Sequence, residues 1–437
     1  MVISPAVARV AGGQSQTFAA TVSGTSNTGV NWYVGGVQGG DASVGTISSS
    51  GVYTAPACPG SSSVVVTAQS AYAPASQATA DVTLMSGGGS SQARYVASSG
   101  SDANDGRACS PWATIQNAAN NAQAGMTIHV APGTYNVSST ITSNAAGSSS
   151  SRVVFISDVQ WGAKIVSSAD PIWNVNGAYV DVEGFDISGG GTSYSGIHSQ
   201  GAYDRSIGNR IHDFGSTGCN GGAGVLIGGG APNQSAIGNV IYNIGPLPPA
   251  VPGCNLIHGI YVSTAGAVIE NNLTFNNSAK GIQLWGEPTN CIVINNTSVH
   301  NQDGMVLGND GAAGSLDNSV IANNITYDNV RYGMYESGST GTHNQYLNNL
   351  IFDNPGGTYM ITGQLNGTVS ANPSFVNYTG NASGNYQLSS GSPAIGAGTS
   401  TDAPSTDIDG GARPQGSGVD VGAYQYGAAP ASWPWNF

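Results

Sequence analysis

The sequence predicts an all-β chain whose larger part is a parallel β-solenoid, on three observations. Short apolar phrases recur at a nearly fixed step: HGIYV at Gly259, KGIQL at Gly281 and DGMVL at Gly304 lie 22 and 23 residues apart. A second register, Asn209, Asn239, Asn272, Asn296, Asn324 and Asn349, closes the strand that follows each phrase and stays in phase with the glycines. Only 8% of the 437 residues are charged while 65 are Gly, which suits turns and extended backbone better than helices with solvated faces. A repeat of this length, built from short strands, is one coil of a solenoid.

Charge narrows the partners. Ten Lys and Arg in a chain of net charge −13 argue against nucleic acid and against anionic membrane surfaces. There is no apolar run of the length a bilayer demands, so membrane insertion is not expected. The start, MVISPAVARV, lacks the basic opening and long apolar core of a signal peptide.

Residues 1–86 read as a separate β-sandwich. QTFAATVSG, GVNWYVGG, GTISSSGVYTAP, SSVVVTAQS and ATADVTLM are short alternating segments separated by turn signals. The run from NWYV to GVYTAP resembles bacterial immunoglobulin-like domains. That resemblance makes Trp32 the core tryptophan of a central strand, and implies a spacer or adhesive module with surface attachment or self-association as its role. A Gly/Ser linker follows at 87–92, and the solenoid with its cap and tail takes 93–437.

The solenoid opens with PWATIQNAANNAQAG, whose apolar spacing predicts a helix ending at Gly125, followed by the strand TIHVAPGTY. This stretch resembles the start of secreted right-handed parallel β-helix proteins, including pectate-lyase-like polysaccharide lyases. The resemblance implies a right-handed coil, a helix capping the open first coil, and a bacterial protein that is secreted or held at the cell surface. Asp102 and Asp105 just before it read as turn residues.

Coil-opening glycines fall at Gly196, Gly224, Gly259, Gly281, Gly304 and Gly333. The asparagines of the second register tolerate left-handed backbone and bond their copies in the next coil, which predicts an asparagine ladder. After Asn354 the repeat loosens. Residues 385–427 resemble a tail of secreted bacterial β-helix proteins, expected to cover the last coil, with Asp407, Asp409 and Asp420 in turns. The aromatic end, WPWNF, is expected to pack back onto the solenoid.

Cys219 and Cys254 each lie five residues before a coil-opening glycine. Rungs stand about 4.8 Å apart, within the ~4.4–6.8 Å Cα separation of disulfides, so the two are expected to pair, in an oxidising compartment. Cys291, in the apolar strand CIVI, reads as a buried thiol. The pairing of Cys58 with Cys109 stays open.

Irregular loops locate function on a solenoid. GSTGCNGGAG and GPLPPAVPGCN both overhang the strand that opens their coils. Beneath them the residue before each glycine forms a column of ionisable groups, His258, Lys280, Asp303 and Arg331, with Tyr332 beside the last. Two residues past the glycines stand His198, Tyr261, Gln283 and Tyr335, and Trp285 ends its strand. Aromatic faces and ionisable groups at neighbouring heights suit a polysaccharide.

Three functions fit. A lyase of a uronate-containing glycan needs a base and a cation that holds the carboxylate. Lys280, one of two lysines with Lys164, is the candidate base, flanked by His258 and Asp303, and Arg331 is the clamp. The family resemblance adds calcium, for which Asp303, Asp310 and Glu287 are the carboxylates at hand. A glycoside hydrolase needs two carboxyls about 5–10 Å apart; Asp303 with Asp310 is the available pair, Glu336 falls on an inward position, and the triple aspartate of polygalacturonases is absent. The third reading is a non-catalytic adhesin or fibre-forming protein. Lys280 shares the strand parity of Ile282, so its use depends on the local turn.

Overall fold

The computed structural model describes residues 1–59, 61–85, 92–192, 194–215, 217–286, 288–309, 316–416 and 418–434. It divides into two compact units, Met1–Tyr95 with Gly100–Trp112, and Val96–Ser99 with Ala113–Phe437. The 87–92 linker lies outside the described residues except for Gln92.

In the first unit, Ser63–Ser70 pairs antiparallel with both Gln77–Met85 and Val30–Val34, at the centre of a five-stranded sheet. A four-stranded sheet carries Ser15–Thr17, Val52–Thr54, Gly45–Ile47 and Gly40–Asp41. Alternation along Ser63–Ser70 sends Val64, Val66 and Ala68 inward, where they meet Trp32, Val34, Tyr53 and Val82. Trp32 is therefore a core residue. Cys58 and Cys109 are disulfide-bonded within this unit, Cα to Cα 5.3 Å.

The second unit is a coil of three parallel sheets of 11, 9 and 9 strands. Each turn contributes one strand to each. The glycine-bearing sheet, called here the groove sheet, includes Ile197–Ser199, Gly222–Ile227, Ile257–Val262, Lys280–Trp285, Asp303–Gly308 and Met334–Ser337. Its inward register column Val225, Ile260, Ile282, Met305, Met334 is at most 1% exposed. Such side chains contribute roughly 1.5–3 kcal/mol each on burial, and their repetition makes one continuous core.

The asparagine ladder is present. The side-chain amide of Asn239 donates to Asn272 Oδ1 at 3.0 Å, Asn272 to Asn296 at 2.9 Å, Asn296 to Asn324 at 3.0 Å and Asn324 to Asn349 at 3.0 Å. The left-handed backbone falls one residue earlier than expected, on Gly208, Gly238, Asn271, Asn295, Asn323 and Asn348. That frees the ladder amides to point inward. A second ladder, not anticipated, runs five residues further on: Asn277 to Asn301 at 2.9 Å, and Asn329 to Asn354 at 2.9 Å. Both ladders satisfy buried backbone N–H groups as well, such as those of Asn272 and Asn277.

The helix spans Ile115–Asn121, N-capped by Thr114, with Ile115, Ala118 and Ala119 buried. Gln116 bonds both backbone groups of Thr142, in the edge strand Ile141–Ser143 of the groove sheet, so the helix covers the sheet edge that the first coil leaves open.

The tail covers the last coils, where Leu388, Ala394 and Val421 pack with Ile325 and Leu350. It runs back along the flank, where the left-handed asparagines bond it: Asn348 Nδ2 to Ala397 O, Asn323 Nδ2 to Thr399 O, Asn295 Nδ2 to Asp420 O and Asn271 Nδ2 to Thr406 O. Tyr386, Ile408 and Ala423 pack on Leu273, Phe275 and Val299. Apolar side chains on the middle coils need cover as much as the end does. Asp407 and Asp420 accept backbone N–H groups in turns. Trp433 donates to Ser157 O at 2.8 Å and fills the space beside Gly184; residues 435–437 lie outside the described residues.

Candidate active site

Each coil-opening glycine of the middle coils faces inward against the third strand. A Cβ at Gly281 would lie 2.0 Å from Ser298 Oγ and 2.6 Å from Thr274 Oγ1; at Gly304 it would meet Gly333 O at 2.4 Å. The ladder breaks at these glycines: Lys280 pairs with Asp303 and Ile282 with Met305, skipping the glycine pair. The residue after the glycine, Ile282, also faces the core at 1% exposure. Two successive inward residues reverse the strand's alternation, and the residue before the glycine is turned outward. This is the physical reason that Lys280, despite the parity of Ile282, turns toward the cleft and not the core, although only 5% of it is exposed.

A cleft of about 550 Å³ results, lined by Gly221, Gly222, Leu226, Asn255, Leu256, His258, Tyr261, Lys280, Gln283, Trp285, Arg331, Tyr335 and Ser337. Of the residues expected at a site, His258, Lys280, Arg331, Tyr261, Gln283, Trp285 and Tyr335 meet here. His198 stands in register with Leu226, one rung beyond the wall. Tyr332 lies beside the cleft, its ring 5.1 Å from that of Tyr335. Asn255, Leu256, Gly221, Gly222 and Ser337 went unnamed in the sequence reading; the first four belong to the overhanging loops, whose length was the available signal.

Lys280 donates from Nζ to the Asn255 carbonyl at 2.8 Å. Burial, partly countered by the charge of Asp303 and reinforced by that of Arg331, brings its amine down to about 8. Burial, with Lys280 beside it, also holds the His258 imidazole well below its ordinary range, so the ring is neutral. Its Nδ1 lies 3.4 Å from the Lys280 backbone N–H, and its plane stacks on Tyr261 at 5.6 Å. His258 is a neutral acceptor and packing partner rather than a charged one.

Asp303 is fully buried. Its carboxylate takes Arg331 Nε at 3.1 Å, Arg331 Nη2 at 2.5 Å and the Tyr332 N–H at 3.2 Å. A group so closed does not meet a substrate, which corrects its expected place in the chemistry: it fixes Arg331. Burial works against the Arg331 charge, yet Asp303 raises its pKa, and the side chain, which lines the cleft, remains 46% exposed. Burial also pushes the Tyr335 hydroxyl up to about 12.

The described residues do not fit calcium. That ion takes roughly six to eight oxygen ligands, with carboxylates prominent, and the lining above presents no carboxylate. Among the described residues no group of three or more His, Cys, Asp or Glu could hold a metal. Asp310 and Glu287 lie outside the described residues. Glu336 is 2% exposed and accepts from Tyr346 and Thr362, inward as expected.

Cys219 and Cys254, in the two overhanging loops, are disulfide-bonded with Cα atoms 4.8 Å apart. Cys291 is a buried free thiol, raised to about 11 by burial. Among the described residues no helix is long and apolar enough to cross a membrane.

Comparison with known proteins agrees with this architecture. A family model described as "Pel9A-like, right handed beta helix region" matches residues 94–246, and one described as "Right handed beta helix region" matches 253–395. Residues 94–395 are thus a right-handed parallel β-helix of the pectate-lyase-like architecture. The solved structure of pectate lyase Pel9A is similar with a TM-score of 0.55 at 17% identity, over 76% of this chain and 96% of that one. A glycoside hydrolase is similar with a TM-score of 0.50 at 8% identity, over 64% of this chain and 96% of that one. At these identities the likeness is one of fold alone. No curated protein matches by sequence.

Proposed function

We propose that the cleft binds an anionic, uronate-containing polysaccharide and cleaves it by β-elimination, with Lys280 as the base. One observation carries this reading. On a chain of net charge −13, the charged side chains lining the cleft are the cations Lys280 and Arg331. A cationic floor in an acidic protein is arranged for an anion, and an amine brought to about 8 is neutral in useful amount near neutral pH.

The steps follow from the residues. Arg331, held by Asp303, takes the uronate carboxylate. The neutral Lys280 amine removes the proton on the carbon beside that carboxylate, and the electron pair left behind spreads into it as an enolate that Arg331 stabilises. The pair then forms a carbon–carbon double bond as the glycosidic oxygen departs. The proton passes from Lys280 to that oxygen or to water. Trp285, Tyr261 and Tyr335 offer faces and edges to the sugar rings, and Gln283 lines the same cleft.

A glycoside hydrolase is the second reading, favoured only by the fold it shares with one; the lining carries no described pair of carboxyls for it. We read the first unit as an immunoglobulin-like accessory module, a spacer or adhesive joint of a protein that works outside the cell, which the two disulfides support. Incubation with uronate-containing and neutral glycans tests the whole. Growth of ultraviolet absorbance from the new double bond supports a lyase. Reducing ends without absorbance favour a hydrolase, and neither product on a broad panel overturns catalysis in favour of a surface or fibre role.

A further inference from the structure

We propose that Asn255 is a positioning residue for Lys280, and that the Cys219–Cys254 disulfide is the clamp that keeps it in place, so that its reduction to two thiols by an external dithiol, itself oxidised to a disulfide, detunes the cleft. The inference rests on Lys280 being the base, but its test does not require activity.

The geometry is short and direct. Lys280 Nζ donates to the carbonyl of Asn255 at 2.8 Å, and Asn255 follows Cys254 in the chain. Cys254 is 2% exposed and bound to Cys219, so the loop above the Gly259 coil is tied to the loop above the Gly224 coil. Those loops supply Gly221, Gly222, Asn255 and Leu256 as the wall over Lys280. Apart from the disulfide, the second loop is anchored by few backbone bonds, among them Ala250 N–H to Ser278 O and Gly222 N–H to Leu256 O. A disulfide restricts the excursions of a segment that so few bonds hold.

The charged and titratable groups facing Lys280 come from the coils: His258 from the one before, Asp303 and Arg331 from those after, and Tyr335 across the cleft. The loops add no charge. Their contribution is one carbonyl and the exclusion of water. Burial is the largest influence on the Lys280 amine. Opening the loop admits water, restores solvation of the ammonium and lets the amine return toward its ordinary range. At neutral pH the fraction of neutral base then falls.

The test uses competitive acetylation across pH with peptide mass spectrometry. Only neutral amines react, and exposed Lys164 is the reference within the same molecule. In the Cys219→Ser/Cys254→Ser variant, with Cys58–Cys109 intact, the Lys280 midpoint is expected to rise by about 1 pH unit or more while Lys164 stays put. Where that variant lacks the native circular dichroism, the native protein is reduced under native conditions, labelled, and reoxidised, which should return the midpoint. A Lys280 midpoint that does not move on loss of the bond in the folded protein overturns the proposal. A midpoint that moves in a protein without eliminase activity keeps the positioning and rejects only the role of Lys280 as base.

Discussion

Asp303, which has no exposed surface, carries both arms of the Arg331 fork, with Nε at 3.1 Å from Oδ1 and Nη2 at 2.5 Å from Oδ2. The same carboxylate lies in register with Lys280 on the neighbouring strand. One buried anion therefore serves two cations that line the cleft.

Replacing it by an amide separates these roles. A broken buried pair costs about 3–5 kcal/mol. With Arg331 46% exposed, water recovers part of that, and Asp303→Asn should cost about 1–3 kcal/mol in thermal or denaturant unfolding. Asp303 is also the charge that raises the Lys280 amine. The variant should therefore titrate Lys280 below about 8, read by competitive labelling; an upward shift contradicts the assignment.

Lys280 governs the pH profile. Elimination should climb with pH through about 8 as the amine loses its proton. Lys280→Met should lose roughly 10²–10⁴-fold in rate. Its melting temperature should hold or rise, because a partly desolvated amine is replaced by an apolar side chain. Turnover that survives the substitution removes Lys280 from the mechanism.

His258 predicts acid instability. Its folded pKa lies well below 6.5, so below 6.5 the unfolded chain binds a proton that the folded chain refuses. Stability is unaffected by this group above that value and is lost as pH falls beneath it. His258→Gln should flatten the dependence of melting temperature on pH between about 6.5 and 5; a slope equal to that of the parent argues against a buried neutral ring.

The ladders predict a steep local cost. Asn296 Oδ1 accepts both the N–H and the side-chain amide of Asn272 at 2.9 Å, and its own amide donates to Ile269 O at 2.8 Å. Asn296→Ala leaves several fully buried groups without partners, at about 1–3 kcal/mol each. Asn301→Ala should behave alike. Denaturation midpoints close to the parent for both would show that water replaces the amides.

Much of the architecture was legible because a solenoid repeats its own constraints. The glycines mark where two strands of one coil touch, and the asparagines where a turn must satisfy itself, so both registers appear in the chain as periods. The second ladder was equally periodic, at Asn277, Asn301, Asn329 and Asn354, but its sites follow strands ending in Phe, Val or Tyr, and the doubled-Asn mark appears only at Asn276-Asn277 and is lost at the other three. The Lys280 column could be aligned, whereas its direction could not, because alternation reverses at Gly281 through a contact with Ser298 on another strand. Asp303 was visible as an ionisable group in that column; its burial depends on Arg331 closing over it from the next coil. The tail's further run along the middle coils was not legible, because its bonds there, such as Asn271 to Thr406, join residues 135 apart in sequence, with no local pattern to announce them.

That tail alters how the molecule comes apart and comes together. A bare stack of coils exchanges energy only between neighbours, so it frays from its end one rung at a time. Here the strap bonded to Asn348, Asn323, Asn295 and Asn271 makes the last coils share the fate of the middle ones. Unfolding becomes a concerted event over that span. The same closure comes late in synthesis: coils nucleated early keep an uncovered flank until residues beyond 397 have arrived, and a chain cut short before them would carry that open flank into solution.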